Sequence, residues 1–220
     1  MLNIYLKSLK DILSPTTLSF ILKVGFGSIF AWIIILYLSW DGFSALVSSL
    51  VAAIPFIGSF DFIKSSSSFI LALVTGYILV IVTISILTSL YSPKILIKLA
   101  KKHYPNIVAK DESSITKSIA ITIKSSAIFL VLFILFLPII IFVPIVGQLV
   151  MLWLWALLLK DPTLYDVSSL FGGNQKEIKS QKSLWIIAII ASLFNYIPLL
   201  NIFATLFAYI MFMHWYLNRQ

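Results

Sequence analysis

Apolar residues run through this chain in long unbroken stretches separated by short polar and basic segments. The pattern has neither the spacing of a soluble amphipathic helix nor the alternation of a half-buried strand. The longest stretch without a charge, Ser125 to Leu159, is at home only in a bilayer. Pro144, within Phe142-Val143-Pro144-Ile145-Val146-Gly147, divides it into arms of about 28 and 22 Å, set against a hydrocarbon core of about 30 Å. A second stretch, Ser183 to Asn218, lacks acidic and basic side chains apart from His214, and is divided at Asn195-Tyr196-Ile197-Pro198-Leu199-Leu200-Asn201 with the short arm first. Both stretches predict membrane hairpins that start and end on one face. Arm length favours re-entrant V shapes over pairs of full crossings.

Two further runs predict single crossings, at about 15–40 and 69–91. Ser14-Pro15-Thr16-Thr17 reads as a helix start, with Ser14 as N-cap and Pro15 at the first helical position, where its missing N–H costs nothing. The uncharged part, Val24 to Trp40, spans about 25 Å. Lys23 sits at one edge, Tyr37 and Trp40 at the other, and Gly27 and Ala31 form a small-residue face for close packing. Asp41 to Ser68 is the only break that is not basic and is expected to face outward. It contains Ile54-Pro55-Phe56-Ile57-Gly58, which repeats the design of the two hairpin turns. Phe69 to Tyr91 then crosses back. In the segment 94–124, seven lysines face only Asp111 and Glu112, which places it in the cytoplasm. Its start, with Leu96, Leu99 and Ala100 between lysines, predicts a helix along the membrane surface, as does the amphipathic lead of residues 1–14. Lys160 to Lys182, interrupted by Asp161-Pro162 and Gly172-Gly173-Asn174, reads as a cytoplasmic loop. The expected fold is an all-α integral membrane protein with residues 1–220 as a single membrane domain. It has two long transmembrane helices plus two proline-centred, hemi-penetrating helical hairpins at about 125–159 and 183–218, and both termini are cytoplasmic.

Composition agrees with this reading. The chain is 60% hydrophobic and 11% charged, with a mean hydropathy of +1.06, whereas soluble domains carry about a quarter charged residues. Its formal +8 belongs to the loops, so anionic lipid headgroups are the expected partners and nucleic acid is not. The absence of cysteine excludes disulfides and thiolate metal sites. Lys7 and Lys10 precede the first apolar run with no small-residue cleavage pattern after it, so that segment is expected to remain in the mature protein.

Enzymes of membrane chemistry place ionisable groups in or beside their apolar runs, and none of those constellations occurs here. His103 and His214 have no carboxylate or second histidine at ligand spacing, and His214, beside Trp215 and Tyr216, reads as an interfacial residue. No carboxylate lies in any apolar run, which leaves no proton relay. The expectation is a protein that is not an enzyme and has no metal and no cofactor. The candidate chemistry is anion binding. Ser14, Pro15, Thr16 and Thr17 open a helix whose first N–H groups and dipole suit an oxyanion, with Lys10 and Lys23 to supply charge. The plain alternative is a capped helix with Lys23 snorkelling to headgroups, and broken helices at the proline turns are a second candidate site.

Several stretches together resemble the CysZ sulfate permease family, the bacterial branch of the etoposide-induced-protein-like membrane domain. They are Ser92-Pro93-Lys94 after the second crossing, Phe142 to Gly147 followed by Trp153-Leu154-Trp155-Ala156, Tyr165 in its acidic and glycine-rich surroundings, and Tyr196-Ile197-Pro198-Leu199-Leu200-Asn201. The resemblance implies two crossings with two hemi-penetrating hairpins, a bacterial inner-membrane location, homo-oligomers, and uptake of sulfate for cysteine synthesis. The family's sulfate-binding Pro-Gly-Leu-Arg corresponds here to Pro15-Thr16-Thr17-Leu18, with neutral hydroxyls where a guanidinium would grip the oxyanion bidentately. The expected function is an inner-membrane permease or channel-like protein passing sulfate or a similar small oxyanion. The rival is a membrane scaffold or assembly protein with no transported substrate.

Overall fold

Pro15 opens a helix as the sequence predicts: the Ser14 carbonyl accepts the Leu18 N–H at 2.8 Å, the first bond of the new turn. In the computed structural model, which describes residues 2–52, 61–107, 109, 114–172, 178, 181–197 and 200–219, the described residues form helices and no strands. In chain order they are α1 (Leu2–Ile12), α2 (Pro15–Leu38), α3 (Trp40–Ala52), α4 (Asp61–His103), α5 (Ile115–Phe142), α6 (Pro144–Phe171), α7 (Lys182–Ser192), a 3-10 turn (Leu193–Tyr196) and α8 (Asn201–Leu217). Four of them, α2, α4 from Ser68, α5 and α6, are long and apolar enough to cross a membrane.

The chain divides into two compact units, residues 25–83 and the remainder. Within residues 25–83, the Trp32 indole N–H donates to Thr83 Oγ1 at 2.9 Å. A Cβ on Gly76 would lie 2.9 Å from Leu36 Cδ1, so this glycine admits the neighbouring helix. Gly27, expected to serve that purpose, faces open space. The small-residue contact is made on α4 instead of α2. Phe30, Ile33, Ile34, Tyr37 and Leu38 are exposed, as lipid-facing residues of a membrane helix are. The motif Ile54 to Gly58 lies outside the described residues.

The larger unit is built around α8, which is buried all round from Ala204 to Trp215, as a helix at the centre of a bundle must be. α1, α6 and α7 pack against it, with Tyr5 and Phe194 both meeting Phe207 edge-on. α5 and α6 form the predicted hairpin. Val143 alone separates them, Pro144 starts the second arm, and Phe129 stacks on Trp155 at 4.6 Å. A Cβ on Gly147 would fall 2.6 Å from Ile140 Cα, so only glycine lets the two arms meet beside the turn. The corresponding Pro198 of the second hairpin lies outside the described residues.

Two helices run further than the sequence reading placed them. α4 does not stop near Tyr91 but continues through Pro93 to His103, so the expected separate surface helix is the end of this long helix. α6 does not stop at Lys160 but passes through Asp161 and Pro162 to Phe171, where Gly172 adopts the left-handed cap at φ 75°. The arms of the first hairpin are therefore equal, at 28 residues or about 42 Å each. Charge did not end α6 because Lys160 is neutralised at once, by Asp161 at 2.9 Å and the Trp185 ring at 4.7 Å.

Candidate functional site

A pocket of about 490 Å³ opens where the first turn of α2 meets the last turns of α4, lined by Ser14, Thr16, Thr17, Lys94, Ile95, Lys98, Leu99 and Lys102. Ser14 Oγ donates to Thr17 Oγ1 at 3.0 Å, and the Lys98 ammonium donates to Thr16 Oγ1 at 3.2 Å. Lys94, Lys98 and Lys102 follow one another at four-residue steps, so all three project from one face of α4. Of the residues expected from sequence, Ser14, Thr16 and Thr17 line the pocket and Pro15 starts the helix beneath it. Lys10 and Lys23 are exposed and are not among the lining residues. The sequence reading took the α4 lysines for headgroup contacts. Their regular spacing was the available signal, and what it lacked was knowledge of which helix their face would meet.

Next to the pocket lies a cluster that the sequence reading did not anticipate. Asp11 is fully buried at the end of α1 and accepts from His103 Nε2 on one oxygen and His214 Nε2 on the other, both at 2.8 Å. Lys102, a lining residue of the pocket, reaches the first of these oxygens at 3.5 Å. Tyr104 Oη donates to Asn218 Oδ1 at 3.0 Å, lies 3.1 Å from His214 Nδ1 and receives Lys7 Nζ at 3.3 Å. Burial pushes the Asp11 carboxyl up, but the hydrogen bonds and charges of the two histidines outweigh it and hold the group down at about 2. Burial, and then the charge of Asp11, push the Tyr104 phenol up. His214 is thus a buried partner of a carboxylate, not an interfacial ring. Asp11, His103 and His214 are close enough to share a metal ion, which their sequence positions did not suggest. The cluster ties α1 to the ends of α4 and α8, and so fixes the loop that presents Ser14.

A third polar group lies deeper. Asp166, assigned from sequence to a loop, is fully buried in the long apolar helix α6. Ser118 Oγ of α5 donates to its Oδ1 at 2.5 Å, and Ser92 Oγ of α4 donates to its Oδ2 at 3.3 Å. Thr122 Oγ1 donates to Ser89 Oγ at 2.8 Å, and Ser89 and Ser118 share a bond of 2.7 Å. The expectation that no carboxylate lies in the apolar runs is overturned here, because α6 extends past Lys160.

A family model described as Sulfate transporter CysZ/Etoposide-induced protein 2.4 matches residues 4–205. No curated protein and no solved structure matches the chain. The matched span takes in every helix that forms the pocket and, with the four long apolar helices, identifies a multi-pass membrane protein of the Sulfate transporter CysZ/Etoposide-induced protein 2.4 family.

Proposed function

We propose that the protein is a bacterial inner-membrane permease for sulfate or a similar small oxyanion, with the pocket between α2 and α4 as the site where the anion first loses water. The observation that carries this reading is the pocket at a helix N-terminus that Lys94, Lys98 and Lys102 line together with Thr16 and Thr17, with the Lys98 ammonium already on the Thr16 hydroxyl. A doubly charged oxyanion needs both compensating charge and directed donors, and helix starts supply the second. The family's Pro-Gly-Leu-Arg ends in an arginine that Pro15-Thr16-Thr17-Leu18 lacks, and ammonium groups of the neighbouring helix, Lys98 foremost, supply the charge instead. Lysine donates as a point charge, so the site is expected to hold its anion less rigidly than a guanidinium fork would. The four-residue steps also leave exposed ammonium groups for anionic headgroups, with the basic segments and both termini on the cytoplasmic side. Homo-oligomers belong to the same proposal.

Flux of radiolabelled sulfate into proteoliposomes tests this reading, with chloride and phosphate as controls. Sulfate uptake above both controls is the expected result. Absence of uptake by folded protein would instead favour a scaffold role without a transported substrate.

A further inference from the structure

We infer that Asp166 and the hydroxyls of Ser89, Ser92, Ser118 and Tyr209 form a binding site for a small monovalent cation, Na⁺ in the first instance. The inference starts from charge. Asp166 is fully buried in an apolar helix, and among the described residues its partners are hydroxyls, with no lysine, arginine or histidine paired to it. An ionised carboxylate in such surroundings is costly until a counter-charge reaches it, and inside a membrane such a group marks a functional site.

Proton counting shows what the cluster lacks. A carboxylate only accepts, so Ser118 and Ser92 spend their protons on Asp166. Ser118 then accepts from Ser89, which accepts from Thr122. The protons of Ser89, Ser92 and Ser118 therefore point towards the carboxylate, the Thr122 hydroxyl is shared between Ser89 Oγ and the Ser118 carbonyl, and no member of the set brings a positive charge. The Tyr209 hydroxyl, fully buried on α8, lies against Asp166, Ser89 and Ser92 but has no hydrogen-bond partner of normal geometry. Pro93, one residue after Ser92, has no N–H to give the Ser89 carbonyl four residues back. Where helices are interrupted inside membranes, freed carbonyls of this kind coordinate cations.

The donor set defines the ligand class. All atoms are oxygens, which suit hard cations and disfavour transition metals. A single carboxylate balances one positive charge, whereas a divalent ion would leave a net charge buried. These oxygens lie 2.5 to 3.3 Å apart as hydrogen-bonded pairs, and they have to part less to admit Na⁺ than to admit the larger K⁺, which makes Na⁺ the first choice. The site is separate from the oxyanion pocket, and the inference does not depend on what that pocket binds.

The test uses the full chain in detergent, exchanged into choline chloride and titrated with NaCl or KCl at constant ionic strength. Thermal midpoint and equilibrium binding of ²²Na⁺ are the readouts. Na⁺ is expected to raise the midpoint saturably, by about 5–10 °C at about a hundred times its Kd, with ²²Na⁺ bound and with K⁺ giving far less. Asp166→Asn should abolish both signals. Ser92→Ala and Tyr209→Phe, which keep the carboxylate and the packing, should each weaken Na⁺ binding by about ten-fold. Equal responses to Na⁺, K⁺ and choline would overturn the inference, as would a Na⁺ response that survives all three substitutions. A midpoint that follows pH and ignores Na⁺ would assign the site to a proton and also overturn it.

Discussion

Asp11 and Asp166 are both withdrawn from solvent, yet one is met by two imidazoles and an ammonium and the other, among the described residues, by hydroxyls alone. The first carboxylate is complete. Its charge is compensated, both oxygens are hydrogen-bonded, and its proton affinity is lowered accordingly. Asp11, His103 and His214 have the composition and the spacing of a metal site, yet their hydrogen bonds already satisfy the carboxylate. The second carboxylate has donors without a counter-charge, the buried Tyr209 phenol lying against it among them. The contrast teaches that composition is a poor guide to where a ligand is needed, and that the balance of charge and protons is a better one.

Stability separates the two sites most widely. Asp11→Ala strands the buried His214 imidazole and the half-buried His103 one, and is expected to cost about 3–5 kcal/mol, the range for a broken buried pair. Asp166→Asn in sodium-free buffer removes an uncompensated charge and is expected to cost less than about 1 kcal/mol or to stabilise. Equal losses in chemical unfolding of the two variants would break the comparison.

Acid should also distinguish them. The Asp11 carboxyl is held at about 2 in the fold against its usual 3.8, a depressed value. Its contribution is therefore fully present above pH 3.8 and is lost as pH falls from there towards 2. The stability gap between the parent and Asp11→Asn should narrow across that window and stay constant from pH 5 to 6. A constant gap down to pH 2 would mean that the imidazoles do not hold the carboxylate in its charged form.

The depth of the first hairpin gives a smaller, positional effect. Its arms are long enough to reach across, but its tip is apolar and bare, with Phe142 80% and Ile145 82% exposed, which favours lipid around it over water. In this cysteine-free chain, a single cysteine at Ile145 is expected to resist a membrane-impermeant thiol reagent that labels one at Gly42. Equal labelling would place the tip in water.

Much of the fold was legible because its signals are local. Apolar runs without charge, Pro15 after Ser14, and Pro144 with Gly147 act through neighbours in sequence or through the bilayer itself. The pocket was half legible: Ser14, Thr16 and Thr17 were found from the helix start, while Lys94, Lys98 and Lys102 were seen only as charge, since nothing local says which helix a lysine face will meet. Asp11 with His103 and His214 was invisible, because the partners are 92 and 203 positions away. Asp166 was misread for another reason. Lys160 and Asp161 look like the end of a membrane segment, and only their pairing with each other and the stacking on Trp185 let the helix continue.

The central claim is that the α4 lysines, with the α2 hydroxyls, hold the oxyanion. Calorimetric binding of sulfate to the parent and to Lys98→Gln tests it most directly, because Lys98 is the ammonium already in contact with Thr16. Loss of one charge-assisted hydrogen bond, worth roughly 1.5–3 kcal/mol, should weaken sulfate binding by about ten-fold or more. Sulfate bound with equal affinity by both proteins would contradict the claim and move the anion away from this pocket.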